Sequence, residues 1–164
     1  MWRKVSPSTW EQLEKKAQQF HNTKLSYKST AETQWGMDAK RRINVRLAGL
    51  IGEALVASEL GWRQNLRLMP GGDGGYDFPG IDVKTSTFIS DPHLKVAPDK
   101  LTDGKIYVLV AVDMRERKAS IVGHATAEMI RSKNYTKDYG GYGETMYLTS
   151  SDLTPGLPVV TTTN

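Results

Sequence analysis

The longest apolar run in the chain is IYVLVAV, residues 106–112. It shows no alternation of apolar and polar positions, so it predicts a strand over 105–113 that is buried on both faces of a sheet. The remaining elements have to be arranged around that strand.

Two helical patterns precede it. Over residues 7–21, Trp10, Leu13, Ala17 and Phe20 fall on one face, and Ser6 or Ser8 is positioned as the cap. Over residues 38–60 a longer pattern carries the stripe Ile43, Leu47, Leu50, Ile51, Ala54 and Leu55, with Asp38 as N-cap and Gly61 as the stop. The polar, aperiodic residues 22–37 between them predict a connecting arm that reaches a partner or a second subunit. Further strands are expected at 66–69, 75–78, 81–88, 94–97, 119–124 and 145–148, and a short helix at 125–132 capped near Thr126. This order gives an α/β (α+β) fold with a central mixed sheet flanked by helices.

At 164 residues the chain fits one domain, divided here into an N-terminal helix and arm (1–38) and a core (39–164). The absence of cysteine excludes disulfides, zinc thiolates and a cysteine nucleophile. The N-terminal residues lack the apolar stretch of a signal peptide, and no run has the length of a membrane span, so a cytoplasmic protein without membrane attachment is expected. A formal charge of +4 and a pI near 9.2 favour an anionic partner such as nucleic acid.

The chemistry is concentrated in GGDGGYDFPGIDVKTS, residues 71–86. Pro79-Gly80 is a turn dipeptide, and a two-residue hairpin closed there would set Phe78 against Ile81 and Asp77 against Asp82. Alternation sends Tyr76, Phe78, Ile81 and Val83 to the core, and Asp77, Asp82, Lys84 and Ser86 to the other side. Opposed side chains of this kind lie roughly 5 Å apart, close enough for two carboxylates to repel unless a cation sits between them. Mg²⁺ suits a sparse oxygen set of this type, with Mn²⁺ as its substitute. Glu53, at the margin of the long helix's apolar stripe beside Leu50, Ala57 and Leu60, is a further candidate carboxylate. An exposed Asp–Lys hairpin would account for Lys84, but it leaves the second aspartate and Glu53 unexplained.

A helix bearing a glutamate, then an aspartate entering a hairpin, then Asp-x-Lys in the returning strand resembles the PD-(D/E)XK nuclease superfamily. The matching residues are Glu53 in GLIGEALVA, Asp77 in GGYDF, and Asp82 with Lys84 in IDVKTS; Tyr76 stands where the family name has proline. The resemblance implies a restriction-endonuclease-like core and Mg²⁺-dependent hydrolysis of DNA phosphodiesters. It makes Asp77, Asp82 and the Val83 backbone carbonyl metal ligands, with Glu53 as the helix acidic residue and a further metal-ligand candidate. Lys84 would serve the nucleophilic water. Small stand-alone members include restriction-like endonucleases, junction resolvases and phage or mobile-element nucleases. Cutting both strands implies a homodimer, in a bacterial cytoplasm or that of a phage's host. The alternative from another class is a nuclease-fold DNA-binding module without catalysis; a structural calcium-binding domain is a third.

Lys40, Arg41, Arg42 and Arg46 cluster where the helix macrodipole disfavours positive charge, which makes them candidates for phosphate binding, together with Ser86. Asp73 is expected to stabilise the glycine-rich turn. His93 and His124 have no partner at triad or ligand spacing, and solvent-facing or structural roles are expected for both. In KNYTKDYGGYGETMY, tyrosines alternate with lysines and glycines, a composition able to follow a nucleic-acid backbone and stack on bases.

Overall fold

The computed structural model describes residues 1–26, 39–64, 77–141 and 143–160. The residues 27–37 of the expected arm, the Asp38 cap, the strand at 66–69, Asp73 and Tyr76 lie outside them. Strand β1 (Arg3–Lys4) is followed by helices α1 (Pro7–Ser26) and α2 (Ala39–Leu60), then by strands β2 (Ile81–Ser86) and β3 (Leu94–Val96). Strands β4 (Ile106–Asp113) and β5 (Lys118–Thr126) come next, then helix α3 (Ala127–Lys133) and strands β6 (Thr136–Asp138), β7 (Glu144–Leu148) and β8 (Thr154–Pro155).

The mixed sheet is present. Its strand order is β1-β5-β4-β2 with β8 also on β5; β2 runs parallel to β4, and the other pairings are antiparallel. The apolar run forms β4, which is buried on both faces: Val108, Val110 and Val112 join one hydrophobic cluster, Tyr107 and Leu109 another. The first cluster is closed by α1 and α2 through Trp10, Leu13, Ala17, Leu47, Leu50 and Ile51.

The second face departs from the expected layer of helices. It is covered by α3 together with a separate antiparallel sheet of order β3-β7-β6, because Leu94, Val96, Met146 and Leu148 alternate inward onto Tyr107 and Leu109. Thr126 caps α3 as expected, accepting a hydrogen bond from the Met129 N–H, but β5 runs through to Thr126 and delays the helix by two residues. Helix α1 continues to Ser26, five residues into the expected arm. The N-terminal segment is also tied to the core, with β1 paired to β5 and Arg3 Nε 2.7 Å from Glu59 Oε1 on α2.

One close approach positions the layer above β2. A Cβ on Gly52 of α2 would lie 2.3 Å from Thr85 Cγ2, so only glycine lets this helix sit so near the strand. Val83 and Thr85 therefore face α2, and by alternation Asp82, Lys84 and Ser86 leave β2 on its other side.

Candidate functional site

Pro79-Gly80 does close a turn, with Gly80 at φ 72° and Phe78 bridged to Ile81. The hairpin then breaks register. The N–H groups of both Asp77 and Phe78 donate to the single Ile81 carbonyl, at 3.1 and 3.2 Å, the two-against-one pattern of a β-bulge. Asp77 thus shares Ile81 with Phe78, which corrects the expected pairing of Asp77 with Asp82. The twist of an L-Pro-Gly turn fits a two-residue hairpin poorly, and the bulge absorbs the mismatch.

The bulge gives Asp77 another position on the same strand edge. Its Oδ2 accepts a hydrogen bond from the Val83 N–H at 2.6 Å, so a carboxylate occupies the place of a backbone partner. A strand residue directs its N–H and C=O to the same side, which puts the Val83 carbonyl on the edge that Asp77 guards.

Asp82 is only 7% exposed, and Lys84 Nζ lies 3.1 Å from its Oδ2. A second ammonium approaches the same oxygen: Lys105 Nζ is 3.7 Å away, on a residue only 5% exposed. Sequence reasoning missed Lys105 as a site residue. The available signal was its place just before the apolar run, in a strand parallel to β2, where Ile81 pairs with Ile106 and Asp82 with Tyr107. Two ammonium groups thus approach one carboxylate oxygen from β2 and from the residue before β4.

Glu53 is half-buried on α2, immediately after Gly52 and on the layer that contacts Val83 and Thr85. Asp82 and Lys84 point away from that layer. The structure thus joins Asp82 directly to Lys84 and Lys105, anchors Asp77 to the intervening residue Val83, and places Glu53 on the opposite layer. Among the described residues no three His, Asp or Glu side chains converge to hold a metal. The metal ligands expected from the sequence, Asp77, Asp82 and the Val83 carbonyl, all offer oxygen, the donor type that Mg²⁺ prefers.

Lys40 and Arg41 are exposed at the start of α2 and Arg42 is half-buried. The Arg46 guanidinium sits 5.2 Å from the Phe20 ring centroid, which gives it a packing role between α1 and α2. Ser86 Oγ accepts from the Phe88 N–H at 3.2 Å and donates to the Phe88 carbonyl at 3.3 Å, ordering the exit of β2. Lys84, Ser86, Phe88, His93 and Lys95 line a cavity of about 370 Å³.

His93 has the partners that its sequence neighbourhood did not reveal. Its Nε2 donates to Asp91 Oδ2 at 3.2 Å, its Nδ1 lies 3.0 Å from the Tyr139 hydroxyl, and its ring stacks on Tyr147. Tyr139 and Tyr147 are distant in sequence and reach His93 only through the small sheet. His124 Nδ1 donates to the Gly156 carbonyl at 2.8 Å.

Comparison with protein-family models, curated proteins and solved structures finds no match. Among the described residues no helix is long and apolar enough to cross a membrane.

Proposed function

We propose that this protein is a Mg²⁺-dependent deoxyribonuclease, an endonuclease with the site logic of the PD-(D/E)XK superfamily on a restriction-endonuclease-like core. The observation that carries the reading is one strand, β2, with Asp77 on its Val83 N–H at 2.6 Å and Asp82 in contact with Lys84 at 3.1 Å. Asp77, Asp82 and the Val83 carbonyl would hold the metal. When bound, Mg²⁺ supplies Lewis-acid polarisation of the scissile phosphate and a more acidic water. Lys84 orients that water and stabilises charge on phosphorus. Lys40, Arg41 and Arg42 bind backbone phosphates, with Ser86 nearer the cut. One site hydrolyses one bond, so cleavage of both strands calls for a homodimer, acting in a bacterial or phage-infected cytoplasm.

The test is incubation of supercoiled plasmid, linear duplex, single strands and four-way junctions with protein and Mg²⁺ or Mn²⁺. Asp77→Asn, Asp82→Asn and Lys84→Ala are run alongside, each checked for folding by its melting curve. Wild type should cut, and Lys84→Ala should fall at least about 100-fold, the usual scale of a lost proton-handling group. Absence of cutting on every substrate, or folded variants that cut like wild type, would end the catalytic reading.

A second reading has one observation in its favour. Lys105 gives Asp82 a positive partner from inside the core, a counter-charge that would keep the carboxylate in place in a DNA-binding module that has lost catalysis. Such a module would bind the same DNAs, cut none of them, and melt at the same temperature with or without Mg²⁺.

A further inference from the structure

Strand alternation sorts the small sheet into two faces. Leu94, Val96, Met146 and Leu148 turn inward to the core. Lys95, paired with Tyr147, turns outward, as does Lys137, paired with Thr145. Tyr135 and Tyr139 stand two residues either side of Lys137, and His93 two before Lys95, so all share that outward face. Asp138 and Glu144, paired with each other, fall on the alternate side of β6 and β7.

The rings on this face form a graded stack. His93 lies parallel to Tyr147, with centroids 5.1 Å apart and planes 12° from parallel. Tyr147 continues to Tyr135, at 5.5 Å and 32°. The series ends at Tyr135, which is 40% exposed. Beside it two cations crowd one ring: Lys95 Nζ is 3.9 Å and Lys137 Nζ 5.1 Å from the Tyr139 centroid. Burial, and then the neighbouring Lys137 charge, hold the Lys95 ammonium below its usual pKa, a strain that an anion beside the pair would relieve. The face also adjoins the candidate site, because His93 and Lys95 line the same cavity as Lys84 and Ser86.

We propose that this face binds single-stranded DNA, one base extending the His93–Tyr147–Tyr135 stack on the open side of Tyr135 and backbone phosphates resting on Lys95 and Lys137. The inference rests on the nucleic-acid reading above and sharpens it. The strand handled at Lys84 is unpaired on its way across the small sheet, so frayed, flapped or junction DNA is favoured over continuous duplex. Aromatic stacking with flanking cations recognises bases without regard to sequence.

The experiment is fluorescence anisotropy with a short fluorescein-labelled oligothymidylate in EDTA, beside a duplex and an abasic strand of equal length. Without metal no cleavage intervenes. Wild type should bind the oligothymidylate more tightly than either comparator. Tyr135→Ala should weaken it about tenfold, the scale of one lost base stack, and Tyr135→Trp should restore it. Lys95→Gln with Lys137→Gln should flatten the salt dependence by about 1.4, from two phosphates at about 0.7 each. Equal binding of oligothymidylate by wild type and Tyr135→Ala, or of abasic and thymidylate strands by wild type, overturns the proposal. Binding of this pattern without any cutting in Mg²⁺ would sink catalysis and leave this surface standing. Cutting with no effect of Tyr135→Ala on binding would do the reverse.

Discussion

On the large sheet, Lys84 and Lys105 turn onto one carboxylate, 3.1 and 3.7 Å from Asp82 Oδ2, whereas on the small sheet Lys95 and Lys137 lie over the ring of Tyr139. Both arrangements arise from the same two-residue alternation. What separates them is burial. Lys105, only 5% exposed, has the Asp82 carboxylate beside it, whereas Lys95 and Lys137 on an exposed face share a π surface. Asp82 is therefore a structural counter-ion as well as a candidate ligand, and its substitution tests both roles together.

The sharpest way to break the comparison is Asp82→Ala, which removes a carboxylate from beside the buried Lys105 ammonium. It should cost about 3–5 kcal/mol in urea denaturation, against less than about 0.5 kcal/mol for Lys95→Gln on the open face. Similar losses for the two variants would show that burial is not the distinguishing variable. Gly52→Ala comes next, at about 1–3 kcal/mol, since its Cβ would overlap the Thr85 methyl and lift α2 from β2. Adding Thr85→Ser deletes that methyl, and recovery of the melting temperature would identify the clash as the cause. On the small sheet, Tyr147→Ala loses ring contacts with His93, Tyr135 and Tyr139 and should cost about 1–2 kcal/mol. The smallest effect is expected at Asp152, whose carboxylate accepts from the Thr149 hydroxyl and N–H at the 3₁₀ turn Ser150–Asp152. Asp152→Ala should cost about 1 kcal/mol at neutral pH. Those hydrogen bonds hold its carboxyl below the usual range. Its stabilisation is thus complete above the unfolded carboxylate pKa and disappears as pH falls through the lower folded value. Wild type and variant should accordingly converge in acid, and a gap that persists there would sink the assignment.

The parts of the fold written in local pattern were legible. β4 announced itself by seven unbroken apolar positions, and α1 by Trp10, Leu13 and Ala17, all of them buried. The contact between Asp82 and Lys84 was legible because a spacing of two in a strand places both on one face. What escaped notice depended on distant partners. β1 is too short to show a period, and Lys105 acquires its meaning only when β4 lies parallel to β2. His93 acquires its meaning from tyrosines on β7 and beyond β6. The hairpin register failed for a local reason, the twist of Pro79-Gly80, which a pairing rule without bulges overlooks.

The pairing of β1 with β5 also orders events in time. Arg3 meets Ala119 and Lys4 meets Lys118, so the first strand must wait for a contact more than a hundred residues away along the chain. Closing a loop of that length is entropically expensive and brings little return until β4 and β5 already exist. β1 then acts as a late clasp on a sheet that assembles without it. A variant lacking residues 1–5 should fold at an unchanged rate and unfold faster, and a slowed folding limb in stopped-flow chevrons would place the clasp in the nucleus instead.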